Sequence, residues 1–438
     1  MTVAALPLLQ QQATAAYRAG RLKDALQICR QLLKLQRDRP DLLAFAGMIA
    51  LELGEVAEAA ELYRKAVQRR PDYAEAWYNL GNALMRLERI DDAAKAYRRA
   101  AELKPDMIPA HNNLGGALHA LGRFEAAADA YRRVLRLVPD APEAERNLGI
   151  ALEKAGRRAE AIDIYRSVIA KRPDWSVAHS NLANALLAAG DARGTVEACT
   201  RWLEVAPGNM EAMALEGLAC YGAGDREAAR HLLDFDFVRT FMIDVPPGYA
   251  SLEEFNAALV DYVMTHPTLH VPPAEDPHYH HPALAITATF FGPREGPVAD
   301  FERVVRAAVA DYLRRIPPGS NHPYLMKPPK KWEFASWAAV LHFQGNLTPH
   351  IHMDGYVSGV YYPLLPDLVG KPESGQEGFF ELGRPPDDFP LARPTELLPI
   401  KPEPGRMILF PSYFYHRTIP FVSDQRRISI AFDVMPRD

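Results

Sequence analysis

The chain has 438 residues, 48% hydrophobic and 24% charged, with a formal net charge of -5. At roughly 100–200 residues per domain this length suits two or three domains, and the weakly acidic balance excludes a general basic field that would attract nucleic acid. No stretch approaches the ~20 apolar residues that a bilayer crossing needs, so neither nucleic acid nor membrane is an expected partner. The opening residues MTVAALPLLQQQ carry no positive n-region and only a short apolar run, a poor secretory signal. Cys29, Cys199 and Cys220 are far apart in sequence, which suggests a reducing compartment and no disulfide framework. A cytoplasmic protein is expected.

From the start of the chain, Pro71, Pro105, Pro139, Pro173 and Pro207 recur every 34 residues, and Gly47, Gly81, Gly115, Gly149, Ala183 and Gly217 keep the same period. Aligned stretches read AWYNLGNAL, AHNNLGGAL, AERNLGIAL and AHSNLANAL. Each unit reads as two helices: Ala76, Leu80 and Leu84 form a helical stripe. Gly81 is small where paired helices approach closely, and Pro105 stops the second helix because proline cannot continue the hydrogen-bond ladder. One such pair cannot bury its apolar face alone, so the units must stack. The pattern resembles the tetratricopeptide repeat, with about six units over residues 10–232 and a repeat domain spanning 1–232.

Asn79, Asn113, Asn147 and Asn181 hold one position in four successive units. In tetratricopeptide superhelices that position resembles the one facing the inner groove, and O-linked N-acetylglucosamine transferase carries a similar ladder before its catalytic domain. A column of side-chain amides can bond the backbone of an extended peptide without reading its side chains. These four residues are therefore candidate peptide-binding residues; the alternative is that each asparagine bridges adjacent helices.

After Leu233 the pattern changes. Residues 233–330 mix helices with proline-rich turns. ASLEEFNAALVDYVMTH has a serine cap at Ser251 followed by Glu254 three residues on, which fits a capping box, and FERVVRAAVADYLRRI is a second amphipathic helix. His278, His280 and His281 in PHYHH read as a solvated loop, with a lid or a substrate contact as the alternatives. From residue 331 to 438 the pattern is of strands: WEFASWAAVLHF, PHIHMD, VSGVYYPLL, RMILFPSYF and RRISIAFDV, with a short strand at GFFEL inside a long proline-rich loop. Strands without intervening helices predict an all-β barrel or jelly roll.

His350, His352 and Asp354 alternate along the predicted strand PHIHMD, so all three share a face. Three metal-capable groups in a barrel interior call for a bound cation. His416 lies just after the apolar strand RMILF. Arg427 and Ser429 follow on the last strand, where an inward arginine suits a planar dicarboxylate. Tyr361 and Tyr362 alternate in facing, so one belongs to the core and the other reaches toward the cosubstrate.

HIHMD, SGVYY, PGRMILFPSYFYH and RRISIAFDV, in that order over residues 330 to 436, resemble the double-stranded β-helix oxygenases that use Fe(II) and 2-oxoglutarate. The resemblance implies a two-histidine, one-carboxylate iron site, which His352, Asp354 and His416 fit. It also implies that Arg427 grips the far carboxylate of 2-oxoglutarate, with Arg427-Ile428-Ser429 as an R-x-S element. A second register, in which His350 and His352 ligate as in aspartyl β-hydroxylase-like domains that lack the carboxylate, stays open; three of the four residues ligate, with His416 in either register. The implied activity is a dioxygenase consuming 2-oxoglutarate and O2 to hydroxylate a protein or peptide recruited by the repeat groove. The alternatives are a repeat scaffold with an inactive barrel, and a small-molecule oxygenase recruited to a carrier protein. The expected architecture is thus multidomain: an all-α tetratricopeptide superhelix followed by a mainly-β double-stranded β-helix, or jelly-roll, domain with flanking helices.

Overall fold

The computed structural model describes residues 6–36, 38–272, 284–316, 322–326, 328–387 and 389–437; His278, His280 and His281 fall outside them. The chain divides into two compact units, residues 1–172 and 173–438.

The first unit holds α1 (Leu6–Arg18), α2 (Leu22–Leu35), α3 (Pro40–Glu52), α4 (Val56–Arg69), α5 (Ala74–Arg86), α6 (Ile90–Leu103), α7 (Ile108–Ala120), α8 (Phe124–Leu137), α9 (Pro142–Lys154) and α10 (Arg158–Lys171). They pack as consecutive pairs, α1 with α2 through α9 with α10. The close approach expected at the periodic glycines has a specific cause. A tyrosine ring of the second helix lies flat against the glycine of the first: a Cβ on Gly81 would stand 2.5 Å from the Tyr97 ring, and one on Gly149 would stand 2.4 Å from the Tyr165 ring. Tyr97 and Tyr165 are 2% and 0% exposed, so these rings cannot swing away.

The second unit begins with α11 (Ser176–Ala188), α12 (Ala192–Val205), α13 (Met210–Ala223) and α14 (Arg226–Leu232). In α11 the periodic glycine becomes Ala183, and in α12 the position of the tyrosine becomes Cys199. The larger small residue is matched by loss of the ring. Seven helix pairs are thus present among the described residues, one more than the sequence pattern suggested. The first, α1–α2, lacks the marks: Ala13 stands one period before Gly47 and is fully packed at 1% exposed. The division between units falls earlier than the change of pattern at residue 232. Its second unit joins the last two helix pairs to the β-rich segment: Tyr413 Oη donates to the Leu232 carbonyl at 2.6 Å, and Arg230 Nε bonds Glu396 at 2.8 Å.

The β-rich segment contains β1 (Arg239–Met242), α15 (Leu252–Met264), β2 (Leu284–Ile286), α16 (Pro297–Arg314), β3 (Trp332–His350), β4 (Val357–Leu364), β5 (Phe380–Leu382), β6 (Leu398–Ile400), β7 (Arg406–Pro411) and β8 (His416–Pro436). The serine cap forms as predicted, with the Glu254 N–H donating to Ser251 Oγ, while the Glu254 carboxylate accepts from the Ala250 N–H one residue before the cap. The strands make one curled antiparallel sheet in the order β1-β7-β4-β8-β3-β2, with β5 joining β6 and β8. This is the mainly-β domain with flanking helices expected from sequence. β1 and β2 were not foreseen; each is four residues or fewer, inside a segment whose strongest periodicity is helical.

Two long strands carry the sheet. β3 and β8 pair antiparallel from Trp332 opposite Pro436 to His350 opposite His416, with bulges between. HIHMD is therefore not one strand. β3 ends at His350, and Met353 and Asp354 lie in a turn, so the period-two alternation that put Asp354 on the face of the histidines stops before reaching it. Helices α15 and α16 cover the other face: Phe255, Leu259, Phe301 and Val305 are wholly buried. Gly359 of SGVYY serves the sheet core, since a Cβ there would stand 2.1 Å from the Phe432 ring.

Candidate metal centre

Strand ends assemble the site. His350 closes β3 and His416 opens β8 directly opposite it. His352 follows in the connection to β4, tied down by its backbone N–H to the Ser412 carbonyl at 3.0 Å. The result brings one ligand atom from each of His350, His352 and His416 within 4.8 Å of one another. Their ring centroids are 4.3 to 5.2 Å apart. Asp354 is not in this group. Its side chain is exposed in the turn after His352, so of the two registers left open by the sequence, the structure brings together the all-histidine set.

The hydrogen bonds select one tautomer for all three rings. Nδ1 of His350 bonds the Thr348 carbonyl at 2.8 Å, Nδ1 of His416 the Phe414 carbonyl at 3.0 Å, and Nδ1 of His352 the Asp433 carboxylate at 2.6 Å. These acceptors carry no proton to give, so each Nδ1 is the donor and each Nε2 keeps a lone pair that could ligate a metal. Burial, then repulsion from His350 and His352, holds the His416 imidazole well below its ordinary pKa. It is therefore neutral at neutral pH, the form that binds a metal. A set of three imidazoles suits a divalent transition-metal ion such as Fe(II).

Beside the histidines lies a pocket lined by Tyr362, Phe380, Phe410, Arg427 and Ser429. Arg427 is 1% exposed. Its guanidinium carbon stands 5.0 Å from the Tyr362 ring centroid, and its Nε has no hydrogen-bond partner. Burial lowers its pKa. Arg417, which also lines the pocket, differs: it donates to Glu381 at 2.7 Å. Among the described residues no carboxylate pairs with Arg427. A buried guanidinium without an anion is costly, and a ligand carboxylate would satisfy it in a fork geometry. The donor set and the orphaned cation thus fit Fe(II) and 2-oxoglutarate. Ser429 is buried along the same strand face.

Tyr361 and Tyr362 separate as strand alternation requires. Tyr362 faces the pocket, its hydroxyl buried beside the Arg427 guanidinium. Tyr361, expected as a possible cosubstrate contact, faces the helices instead: it donates to Asn256 at 2.5 Å and packs 4.7 Å from the Phe301 ring. On the other side of the histidines, an outer cleft is lined by Ala335, Trp337, Met353, Asp354 and Met435. His350 and His352 line both the pocket and the cleft.

Sequence reasoning missed Asp433, Ser358 and Ser412. Asp433 was signalled by phase, since it lies two steps beyond Ser429 and Ala431 on the inward face of β8. The serines lay unread inside SGVYY and FPS.

The asparagine ladder is half-buried throughout. In the first unit, Asn113 Nδ2 donates to Asn82 at 3.1 Å and to the Tyr78 hydroxyl at 3.4 Å, both on α5, so it bridges neighbouring helices. Asn147 accepts from Arg146 at 3.0 Å. In the second unit, Asn181 Nδ2 is buried without a partner.

The same division emerges from comparison with known proteins. Residues 335–433 match a family described as "Putative 2OG-Fe(II) oxygenase", and residues 11–74, 46–108, 110–174 and 176–204 match tetratricopeptide repeat families. No curated protein matches the chain. Similar solved structures include a MamA protein, 24% identical over 39% of this chain and 92% of that one, with a TM-score of 0.37. Another is YrrB, titled "a TPR protein with an unusual peptide-binding site", 21% identical over 40% of this chain and 92% of that one, with a TM-score of 0.35. The chain joins tetratricopeptide repeats to a C-terminal domain of the 2OG-Fe(II) oxygenase family.

Proposed function

We propose that this protein is an Fe(II)- and 2-oxoglutarate-dependent dioxygenase that hydroxylates a protein or peptide recruited by its repeats. The observation that carries the reading is the pairing of three Nε2-presenting imidazoles with a buried, unpaired Arg427 in one pocket. His350, His352 and His416 would hold the iron, leaving coordination positions for cosubstrate and oxygen. When bound, iron with 2-oxoglutarate and O2 supplies oxidation of an unactivated C–H bond, with decarboxylation of the cosubstrate to succinate and CO2.

The chain's own residues orient and exclude. Arg427 anchors the far carboxylate, with Ser429 and Tyr362 offering hydroxyls beside it. Phe380 and Phe410, with ring centroids 5.6 and 4.8 Å from that of His416, keep water from the inner side. The outer cleft at Trp337, Met353 and Asp354 would receive the substrate. Domain limits of 1–232 for the repeats, 233–330 for the connecting helices and 331–438 for the catalytic core fit this division of labour. Asn79, Asn147 and Asn181 remain candidate peptide contacts, with Asn113 shared between that task and its helix bridge. The cysteines are free and buried, in keeping with a reducing, cytoplasmic setting.

Incubation of the Fe(II)-loaded protein with 2-oxoglutarate, O2 and a partner captured by the repeats should yield succinate and a partner heavier by about one oxygen atom. Succinate with small metabolites but with no polypeptide would sink the substrate assignment. The exposure of Asp354 favours one second reading, a scaffold with an inactive barrel, because the usual carboxylate ligand is then absent; absence of succinate under every condition would select it.

A further inference from the structure

Three imidazoles make the pocket unusual, because neutral rings bring no charge to balance a divalent cation. Two of them are held by main-chain carbonyls, but His352 is held by a carboxylate. Asp433 is 6% exposed and is itself built in. Ser358 donates to the same Oδ1 at 2.6 Å, and the Ser358 and Ser412 hydroxyls bond at 2.9 Å. Ser412 also accepts the His352 backbone N–H through its carbonyl. Gly355 lets the chain pass over this cradle, since a Cβ there would meet Ser412 Oγ at 2.8 Å and Asp433 Cβ at 3.2 Å. The Trp337 ring flanks His352 edge-on at 5.4 Å.

Resting on the metal reading above, we infer that Asp433 is the carboxylate of this metal centre, displaced one shell outward. Clamped by Ser358, whose hydroxyl Ser412 holds in turn, it fixes the His352 ring and supplies through it the negative charge that a carboxylate ligand would otherwise bring. It is a positioning residue and does not ligate. A charge-assisted bond to Nδ1–H is shorter and stronger than one to a neutral acceptor, and it makes Nε2 a better donor to the metal. Two serines, one glycine and one aspartate from three separate segments, all closing on one imidazole, would be a costly arrangement for packing alone. The same inference gives the serines of SGVYY and FPS a task.

The test is Co(II) titration of the metal-free full-length protein, followed by the visible d–d bands, with thermal unfolding recorded for each variant. Asp433→Asn, which keeps an oxygen acceptor but removes the charge, should weaken Co(II) binding roughly 10- to 100-fold and shift the bands, at little change in melting temperature. In a His352→Ala background the same substitution should change affinity less than about twofold, because the route through His352 is gone. Ser358→Ala, which unclamps the carboxylate, should give a smaller loss of the same sign. Wild-type Co(II) affinity and bands in Asp433→Asn, with a lowered melting temperature, would overturn the inference and leave a structural aspartate. Should Asp433→Asn not fold, unchanged Co(II) binding by Ser358→Ala would overturn it equally. If the wild-type protein takes up no Co(II), the metal reading itself fails, and the inference falls with it; uptake by wild type with no response in the variants sinks the inference alone.

Discussion

The helix pairs and the β-rich segment use opposite ways of placing a side chain. In the pairs, everything needed lies within one period: Gly149 receives the ring of Tyr165, sixteen residues later, and the rule repeats at Gly81 with Tyr97 and at Gly115 with Tyr131. In the β-rich segment, the residues around one imidazole come from the ends of β3, β4, β7 and β8, and His352 meets its carboxylate 81 positions away. A local rule tolerates exchange if both members change together, as Ala183 and Cys199 do. A convergent site has no such partner to compensate a loss, so its substitutions should be far more damaging to function than to folding.

The sharpest break would come at the convergent end. His416→Ala should abolish both metal uptake and succinate formation while the circular dichroism spectrum and melting curve stay close to wild type. Retained turnover would end the contrast. Arg427→Met should raise the half-saturating 2-oxoglutarate concentration about 100-fold, the equivalent of roughly 3 kcal/mol for two charge-assisted hydrogen bonds, and leave Co(II) affinity unaltered. A normal 2-oxoglutarate requirement would mean that the buried guanidinium serves another anion.

On the periodic side the expected effects are on stability. Gly149→Ala should destabilise by roughly 1–3 kcal/mol from overpacking against Tyr165, measured by denaturant unfolding. Combining it with Tyr165→Cys, to copy the Ala183 and Cys199 pair, should cost less than the sum of the two single changes. Strict additivity would show that the ring and the glycine do not constrain each other.

The smallest effect concerns Glu216, which occupies the periodic position of Leu80, Leu114, Leu148 and Leu182 in α13. It is 9% exposed, and burial raises its pKa above the ordinary 4.5, opposed by a hydrogen bond from Thr200. A carboxyl group whose folded pKa is raised favours the fold at acid pH, and that contribution is lost as pH rises through the folded value. Glu216→Leu should therefore gain roughly 1 kcal/mol at neutral pH and lose the wild-type decline in stability above about pH 4.5. An unchanged pH profile in urea unfolding would refute it.

Legibility followed the same division. The 34-residue period exposed the pairs because each repeats the same steric demand; only α1–α2 escaped, since Ala13 replaces the marker glycine. The residue types of the site were visible as well: His350, His352, His416, Arg427 and Ser429 all line one pocket. What the sequence could not place was the end of a strand. Nothing in HIHMD says that β3 stops at His350, yet that stop decides whether Asp354 points inward or to solvent. The inward phase of Asp433 was legible but its role was not, because that role depends on a histidine distant in sequence and near only after β8 has paired with β3 and β4.

The central claim is that three imidazoles and Arg427 together hold iron and 2-oxoglutarate. Its most direct test is an anaerobic titration of the wild-type protein with Fe(II) and then 2-oxoglutarate, monitored by visible absorption. The account predicts a weak charge-transfer band that needs both additions, is absent in His416→Ala, and decays on admission of oxygen with release of succinate. No band at saturating iron and cosubstrate, in a protein shown to be folded, would contradict it.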